Sequence, residues 1–408
     1  MALTRAFRPL LLILFVIATL TFWYIFYCFS PHDQSTASNY MPNFQEMLSP
    51  KAKLEHASDQ YPEFAIALKT GRDVVAERCA IQTNTFLGNA KNVILIAESS
   101  EVSLGDIPVY DVYTDTLKNS THKQLKKRAK DAVTVDESSL GWQLDAHKNI
   151  PGMRLLYEKY PHAEWYIMLD DDTYMFFDNL RRRIKSQKLD PTQPHYLGAS
   201  SVFTGCDGIT SFDDSPGFAH GGSGIVVSKG ALEKMLKVID NCIDRYRDCW
   251  GGDIRLALCM RDAGVLLTPE SDFNSNPPNV EFPFHDRNPC TQPITFHHLL
   301  PQQIQLLYET ERKMQGNVTY ADVVDRFKHL NHNTVNKLER DGDGYTKISV
   351  TDMKKCRSLC ENDTRCISWS FVDSVCHLRD SQTQLTRVEN EKSFSNIYPM
   401  HYTCSHSQ

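Results

Sequence analysis

Three consecutive carboxylates, Asp170-Asp171-Asp172, stand directly behind an apolar run, Trp165 to Leu169. Adjacent negative charges raise one another's pKa unless a cation compensates them. The carboxyl end of a strand in an α/β sheet is also where such folds place ligands. Alternate residues of an extended segment point the same way, so Asp170 and Asp172 can reach one ion together. Hard oxygen ligands suit magnesium or manganese, ions that also bind substrate phosphates. The plainer alternative is a surface acidic turn capping a helix that starts near Asp178. A second cluster, Gly221, Gly222 and Gly224, offers a backbone that lets a ligand approach closely and tolerates positive φ. An ordinary tight turn before a strand explains any one of these glycines equally well. No lysine-serine or lysine-threonine pair follows, which excludes a phosphate-binding loop.

The elements that must position these groups are legible around them. Val93 to Ala97 (VILIA) and Trp165 to Leu169 (WYIML) are short apolar runs of buried-strand type. Gly224 to Ser228 is a further strand candidate. Residues 142–160 and 230–239 follow helical patterns, with Pro151 bending the first helix or starting a new turn. Strands and helices alternate, which predicts an α/β core with a largely parallel sheet.

A chain of 408 residues suits one large domain plus a smaller one. The formal net charge of -6 argues against nucleic acid as a partner. The local basic run Lys118 to Lys130 reads as a solvated face. Leu10 to Phe29 is uncharged, apolar and aromatic, and Arg5 and Arg8 precede it. As a helix it covers roughly 30 Å, the thickness of a bilayer's hydrocarbon core. The arginines set a cytoplasmic N-terminus and a lumenal remainder. A cleaved signal peptide would need a small-residue site, whereas Tyr27-Cys28-Phe29 is bulky. Of twelve cysteines, Cys28 lies in this segment and eleven follow it, an odd count that leaves one thiol free or paired between chains. Sequons at Asn119, Asn317 and Asn362 agree with a lumenal setting. The predicted organisation is a cytoplasmic tail over 1–9, a membrane anchor over 10–29, a stem over 30–63, an α/β domain over 64–335 and a disulfide-rich α+β module over 345–408. Asp341-Gly342-Asp343-Gly344 echoes a calcium loop but lacks its later ligands, and no cysteine pair has a zinc pattern.

The segment Trp165 to Tyr174, followed by Asn179-Leu180, resembles the metal motif of the Fringe and core-1 β-1,3-galactosyltransferase group of family 31 glycosyltransferases. Gly221-Gly222-Ser223-Gly224, then Val227 to Leu232, resembles that group's second hallmark. Gly141 to Asp145, with Lys148, is similar to the fungal version. The resemblance runs from about residue 75 to 312. It implies a GT-A nucleotide-sugar-binding fold and inverting transfer with a divalent metal, usually manganese. Asp170 and Asp172 then lie at the metal and the donor, with Asp171 secondary. Thr295 to Leu299 resembles the segment whose histidine completes the metal site; it aligns His297 there, with His298 beside it. Asp253 matches the family's acidic position for the base, although Gly252 replaces the acid that precedes it in the Fringe version. Its other reading is an N-cap for a helix over 254–262.

The implied activity moves galactose or N-acetylglucosamine from a UDP-sugar to a glycan or glycoprotein acceptor with a β-1,3 preference, in the Golgi membrane. The rival reading is an inactive lumenal glycan-binding or chaperone protein on the same fold. It predicts loss of a metal ligand or of the base, and Asp170, Asp172, His297 and Asp253 are all present. The tail, with Cys356, Cys360, Cys366-Ile367-Ser368-Trp369 and Cys376-His377-Leu378, resembles a PAN/apple-type module. That resemblance implies pairing of Cys356 with Cys376 and of Cys360 with Cys366, leaves Cys404 unassigned, and suggests protein or carbohydrate contact.

Overall fold

The computed structural model describes residues 60–98, 103–104, 107–112, 145–278, 288–327, 335–336, 338–340, 344–363, 365–366, 368–380, 385–387, 394–397 and Cys404. The expected tail, anchor and most of the stem lie outside these residues, as do Lys118 to Lys130, Asn119, Trp142 and Asp341 to Asp343. Among the described residues no helix is long and apolar enough to cross a membrane.

The strands of the larger part are β1 (Phe64–Lys69), β2 (Val93–Ala97), β3 (Ser103–Leu104), β4 (Ile107–Asp111), β5 (Trp165–Asp170), β6 (Tyr174–Met175), β7 (Tyr196–Gly198), β8 (Ser200–Ser201), β9 (Phe218–Ala219), β10 (Ile225–Ser228), β11 (Leu267–Pro269) and β12 (Thr295–Phe296). Eight of them form one mixed sheet in the order β11-β7-β10-β5-β1-β2-β4-β3. Strands β5, β1, β2 and β4 are parallel neighbours, and all of β1 and the apolar part of β5 are buried, as continuous apolar runs require. The expected parallel arrangement breaks at β10, which runs antiparallel to both β5 and β7. The reversal has a functional consequence. The start of β10 lies beside the end of β5, with Ile225 opposite Met168, so the glycine turn ahead of β10 meets the aspartates at the carboxyl end of β5.

The helices are α1 (Ala80–Asn84), α2 (Asn149–Lys159), α3 (Phe177–Ser186), α4 (Lys229–Leu236), α5 (Ile239–Arg245), α6 (Gly252–Asp262), α7 (Pro301–Lys313), α8 (Tyr320–Phe327) and, in the C-terminal part, α9 (Met353–Asn362). Helix α2 spans Asn149–Lys159 of the expected helical stretch, whose residues 142–144 lie outside the described residues. Pro151 falls in its first turn, where a missing N–H needs no partner. Met153 and Leu156 of α2 and Leu256 and Leu258 of α6 share one apolar core with Tyr166, Met168 and Val227 of the sheet. Helix α4 starts cleanly because Ser228 Oγ accepts the Ala231 N–H at 3.2 Å.

The C-terminal part has strands β13 (Val335–Asn336), β14 (Leu338–Arg340), β15 (Thr346–Ser349), β16 (Ser368–Val372), β17 (Val375–Arg379), β18 (Leu385–Arg387) and β19 (Phe394–Ile397). Five form an antiparallel sheet ordered β13-β19-β16-β17-β15, so this module reaches back ahead of residue 345 and takes strands from the expected join. The bridges Cys356–Cys376 and Cys360–Cys366 are formed as the resemblance implies. Cys404 pairs with Cys290 of the larger part, and Cys242–Cys259 joins α5 to α6. Cys79, Cys206 and Cys249 are buried thiols, three rather than the single one expected.

Candidate metal and catalytic site

Strand β5 ends at Asp170, and the Thr173 N–H donates to the Asp170 carbonyl at 3.1 Å, which turns the chain and separates the three carboxylates. Asp170 faces Lys69 Nζ at 3.1 Å, its register partner at the end of β1. Lys69 is buried and is also bonded to Asp145. Burial favours the neutral amine, but the charges of Asp145 and Asp170 outweigh it and hold Lys69 as an ammonium. Burial pushes the Asp170 carboxyl itself up. Asp171 turns inward: Thr70 Oγ1 donates to Oδ2 at 2.7 Å and Arg78 Nη1 to Oδ1 at 3.1 Å. Burial lifts its pKa to about 6. Asp171 therefore anchors the loop to the end of β1.

Asp172 points the other way, towards the histidines. The two-stranded ribbon β6–β12 sets Tyr174 opposite Phe296, and the Leu299 N–H donates to the Asp172 carbonyl at 3.0 Å. These bonds carry the segment after β12 across the acidic loop. His297 Nε2 lies 3.1 Å from Asp172 Oδ1, and His298 Nδ1 lies 3.7 Å from Oδ2. One ligand atom from each of the three residues falls within 4.8 Å of the others. His297 Nδ1 donates to the Ser275 carbonyl at 3.2 Å, which directs Nε2 into the cluster, as metal-ligating imidazoles require. His298 stacks on His297 at 3.8 Å and holds a left-handed backbone, φ 56°, a conformation that costs energy and concentrates at working sites. Burial pushes the Asp172 carboxyl up, but the hydrogen bond and charge of His297, then His298, hold it below the usual range. Burial disfavours the His297 cation, yet Asp172 and Asp170 raise its pKa. A proton or a metal ion can thus occupy the space between Asp172 and His297. Two imidazoles beside a carboxylate suit a first-row divalent ion.

The turn His220–Gly224 packs against this cluster from the β10 side. Thr173 Oγ1 donates to the Gly222 carbonyl at 2.7 Å and Thr295 Oγ1 to the Ser223 carbonyl at 2.6 Å. A Cβ at Gly222 would stand 2.0 Å from His297 Cε1, so only glycine leaves that ring its place. Gly224 has φ 88°, accessible to glycine at no steric cost, and turns the chain into β10. The Gly221 N–H donates to Asp253 Oδ2 at 2.9 Å. Asp253 is not the N-cap of α6. Gly251 holds that position, and Asp253 lies inside the first turn with Oδ1 on the Ile254 N–H at 2.9 Å. A carboxylate there is favoured by the helix dipole. His220 lies between the two halves, 5.7 Å from His297 ring to ring, and burial lowers its pKa.

The structure therefore gathers Asp172, His297 and His298, keeps Asp170 alongside on Lys69, turns Asp171 away, and hangs Asp253 on the glycine turn. Sequence reasoning missed Lys69, Arg78, Glu98 and Ser275. Lys148, buried, binds Glu98 at 2.7 Å and the Thr70 carbonyl at 2.8 Å, which completes a charged floor beneath the acidic loop. The available signal was a lone charge, Lys69, closing the apolar run Phe64 to Leu68.

A family model described as "Protein of unknown function, DUF604" matches residues 211–317, and a PAN domain model matches 338–383. The first match spans the glycine turn, Asp253 and His297. Chondroitin sulfate synthase 3 of Mus musculus and of Homo sapiens are each 28% identical to this chain over 102 residues, 25% of this chain and 11% of theirs. The chain thus spans about a tenth of the length of these curated relatives. A solved glycosyltransferase involved in the glycosylation of the major capsid of PBCV-1 aligns over 59% of this chain and 98% of its own, at 15% identity and a TM-score of 0.29.

Proposed function

We propose that the protein is a metal-dependent, inverting glycosyltransferase that uses a UDP-sugar. The observation that carries this reading is the Asp172–His297–His298 cluster at the carboxyl end of β5, with Asp253 held across the glycine turn. The partial matches to proteins named for the synthesis of a glycan support a glycan acceptor. Asp172 and His297 would hold manganese, with His298 and Asp170 beside them. When bound, the ion supplies positive charge against the departing nucleotide diphosphate. Lys69 offsets part of the cost of charging the buried Asp170 beside it, and Asp171 fixes the acidic loop to the end of β1. Asp253 takes the proton of the acceptor hydroxyl on the face opposite the leaving group. Single displacement needs one base and no enzyme nucleophile, in contrast to the two-carboxylate chemistry of retaining glycosidases. The transferred sugar is galactose or N-acetylglucosamine in β-1,3 linkage, and residues 10–29 anchor the chain in the Golgi membrane with the catalytic domain lumenal.

The test is turnover of UDP-galactose, UDP-N-acetylglucosamine and UDP-glucose by the purified lumenal chain, with and without manganese. One donor is expected to be hydrolysed or transferred only with the metal. Equal turnover after chelation would sink the metal mechanism, and no turnover of any donor would favour the inactive glycan-binding alternative.

A further inference from the structure

Two of the three unpaired cysteines lie against each other. Cys206 and Cys249 are both buried, and the two thiols are close enough to interact. Their chain neighbours are in contact as well: Trp250 Nε1 donates to the Thr204 carbonyl at 3.0 Å. Asp207, next to Cys206, accepts from Arg245 Nη2 at 2.9 Å and Arg261 Nη2 at 2.6 Å, which ties the same loop to α5 and α6. The third thiol, Cys79, is elsewhere, hydrogen-bonded to Thr70 beside Asp171.

We propose that Cys206 and Cys249 are joined by a disulfide in the mature protein, a fifth bridge that clamps the turn carrying Asp253. The chain already carries four bridges, so it matures where thiols are oxidised. Five bridges use ten cysteines, and the odd count after Cys28 then leaves Cys79 as the single thiol. The turn around Cys206 is pinned by the Gly205 N–H on the Ile209 carbonyl at 2.8 Å and the Ile209 N–H on the Cys206 carbonyl at 2.9 Å, so bringing the sulfurs to the bonding distance of about 2.05 Å falls to rotation of the two side chains. Gly205 and Gly208 flank it at positive φ, and the Cβ position of Gly208 meets nothing within 4 Å. Cys249 is held by its carbonyl, which accepts from Arg255 Nε at 2.7 Å, leaving the side chain to turn.

The chemistry is thiol–disulfide exchange with an incoming small-molecule or protein disulfide. The Cys249 thiolate attacks that disulfide and expels one of its sulfurs as a thiol. The Cys206 thiolate then attacks the Cys249 sulfur of the mixed disulfide and expels the second. Two protons and two electrons leave the cysteine pair, and the oxidant is reduced to two thiols. The exchange belongs to folding, before the two segments close. Once buried, the Cys249 thiol is pushed up to about 12 and is a poor nucleophile. With the bond made, residues 204–221 and 249–253 are held together at three points: Trp250 on Thr204, Cys249 on Cys206, and Asp253 on Gly221.

The experiment is peptide mapping of the secreted full lumenal chain, denatured and alkylated without reductant. A linked peptide pair containing Cys206 and Cys249, with Cys79 as the one alkylated cysteine, is expected. Alkylation of both Cys206 and Cys249, or linkage of either to another cysteine, overturns the proposal. Cys206→Ala supplies an independent reading: Cys249 becomes alkylatable and Tm falls by on the order of 10 °C. A variant whose alkylation pattern at Cys249 matches wild type overturns it too. Should that variant fail to fold, the wild-type map decides alone.

Discussion

The two parts of the described chain are stabilised in different ways. In the α/β part, β1 and β10 are buried at every position, as is β5 from Trp165 to Leu169, and one of the four disulfides lies wholly within it. In the C-terminal module the core is Trp369, Phe371, Leu378 and four bridged cysteines. A large domain buries enough apolar surface to stand on packing, whereas a small one cannot and takes covalent staples. The larger part can therefore keep three carboxylates, Asp170, Asp171 and Asp172, together at the end of β5, each on its own partner: Lys69, Arg78 and His297. The smaller part has no such reserve, and its buried Arg379 donates to Ser370 Oγ at 2.8 Å.

Asp172→Ala sharpens this contrast most. Donor turnover is expected to fall at least ~100-fold while Tm stays within a few degrees of wild type, because the side chain belongs to the site and not to the core. A large loss of Tm would mean that the acidic loop holds the sheet together. Next in size is removal of the Cys356–Cys376 bridge by the double change to alanine. It should destabilise the module by about 3 kcal/mol, and limited proteolysis should cut beyond residue 335 while the α/β part persists. Simultaneous loss of both parts would break the comparison.

Glu311 on α7 tests a buried titratable group of the larger part. Its carboxyl accepts from the Tyr174 hydroxyl, and burial lifts its pKa to about 8 against an ordinary 4.5. With the folded value raised, the contribution to stability is complete below 4.5 and is lost as pH rises through 8. Between pH 5 and 7.5 the loss amounts to roughly 3 kcal/mol at 1.36 kcal/mol per unit. Glu311→Gln is expected to flatten the pH dependence of Tm over that range; an unchanged slope would show that another group causes it. The smallest effect is that of Gly222→Ala. Its methyl group must displace the His297 ring, so manganese affinity measured by calorimetry should fall about tenfold with little change in stability.

Much of this was legible from the residues themselves. The apolar runs Val93 to Ala97 and Trp165 to Leu169 announce strands because burial on both faces demands continuous apolar sequence. The cysteine pattern after residue 350 matched a module whose two internal bridges formed as the resemblance implied. The direction of β10 was not legible, since Ile225 to Ser228 carries the same apolar pattern whichever way it runs. Nor was the partner of Cys404, because Cys290 lies 114 residues away. The N-cap reading of Asp253 failed because Gly251 and Gly252 let the helix begin earlier.

The sequence by itself determined which side chains have the chemistry: three adjacent carboxylates, a histidine pair, and an aspartate behind two glycines. Residue types and local periodicity suffice for that. The tertiary structure decided their division of labour. A loop's hydrogen bonds turned Asp171 onto Thr70 and Arg78, a two-stranded ribbon laid His297 and His298 over Asp172, and the Gly221 N–H fixed Asp253 across the turn. Those assignments depend on contacts between segments far apart in the chain, and no local pattern records which distant group satisfies a buried charge.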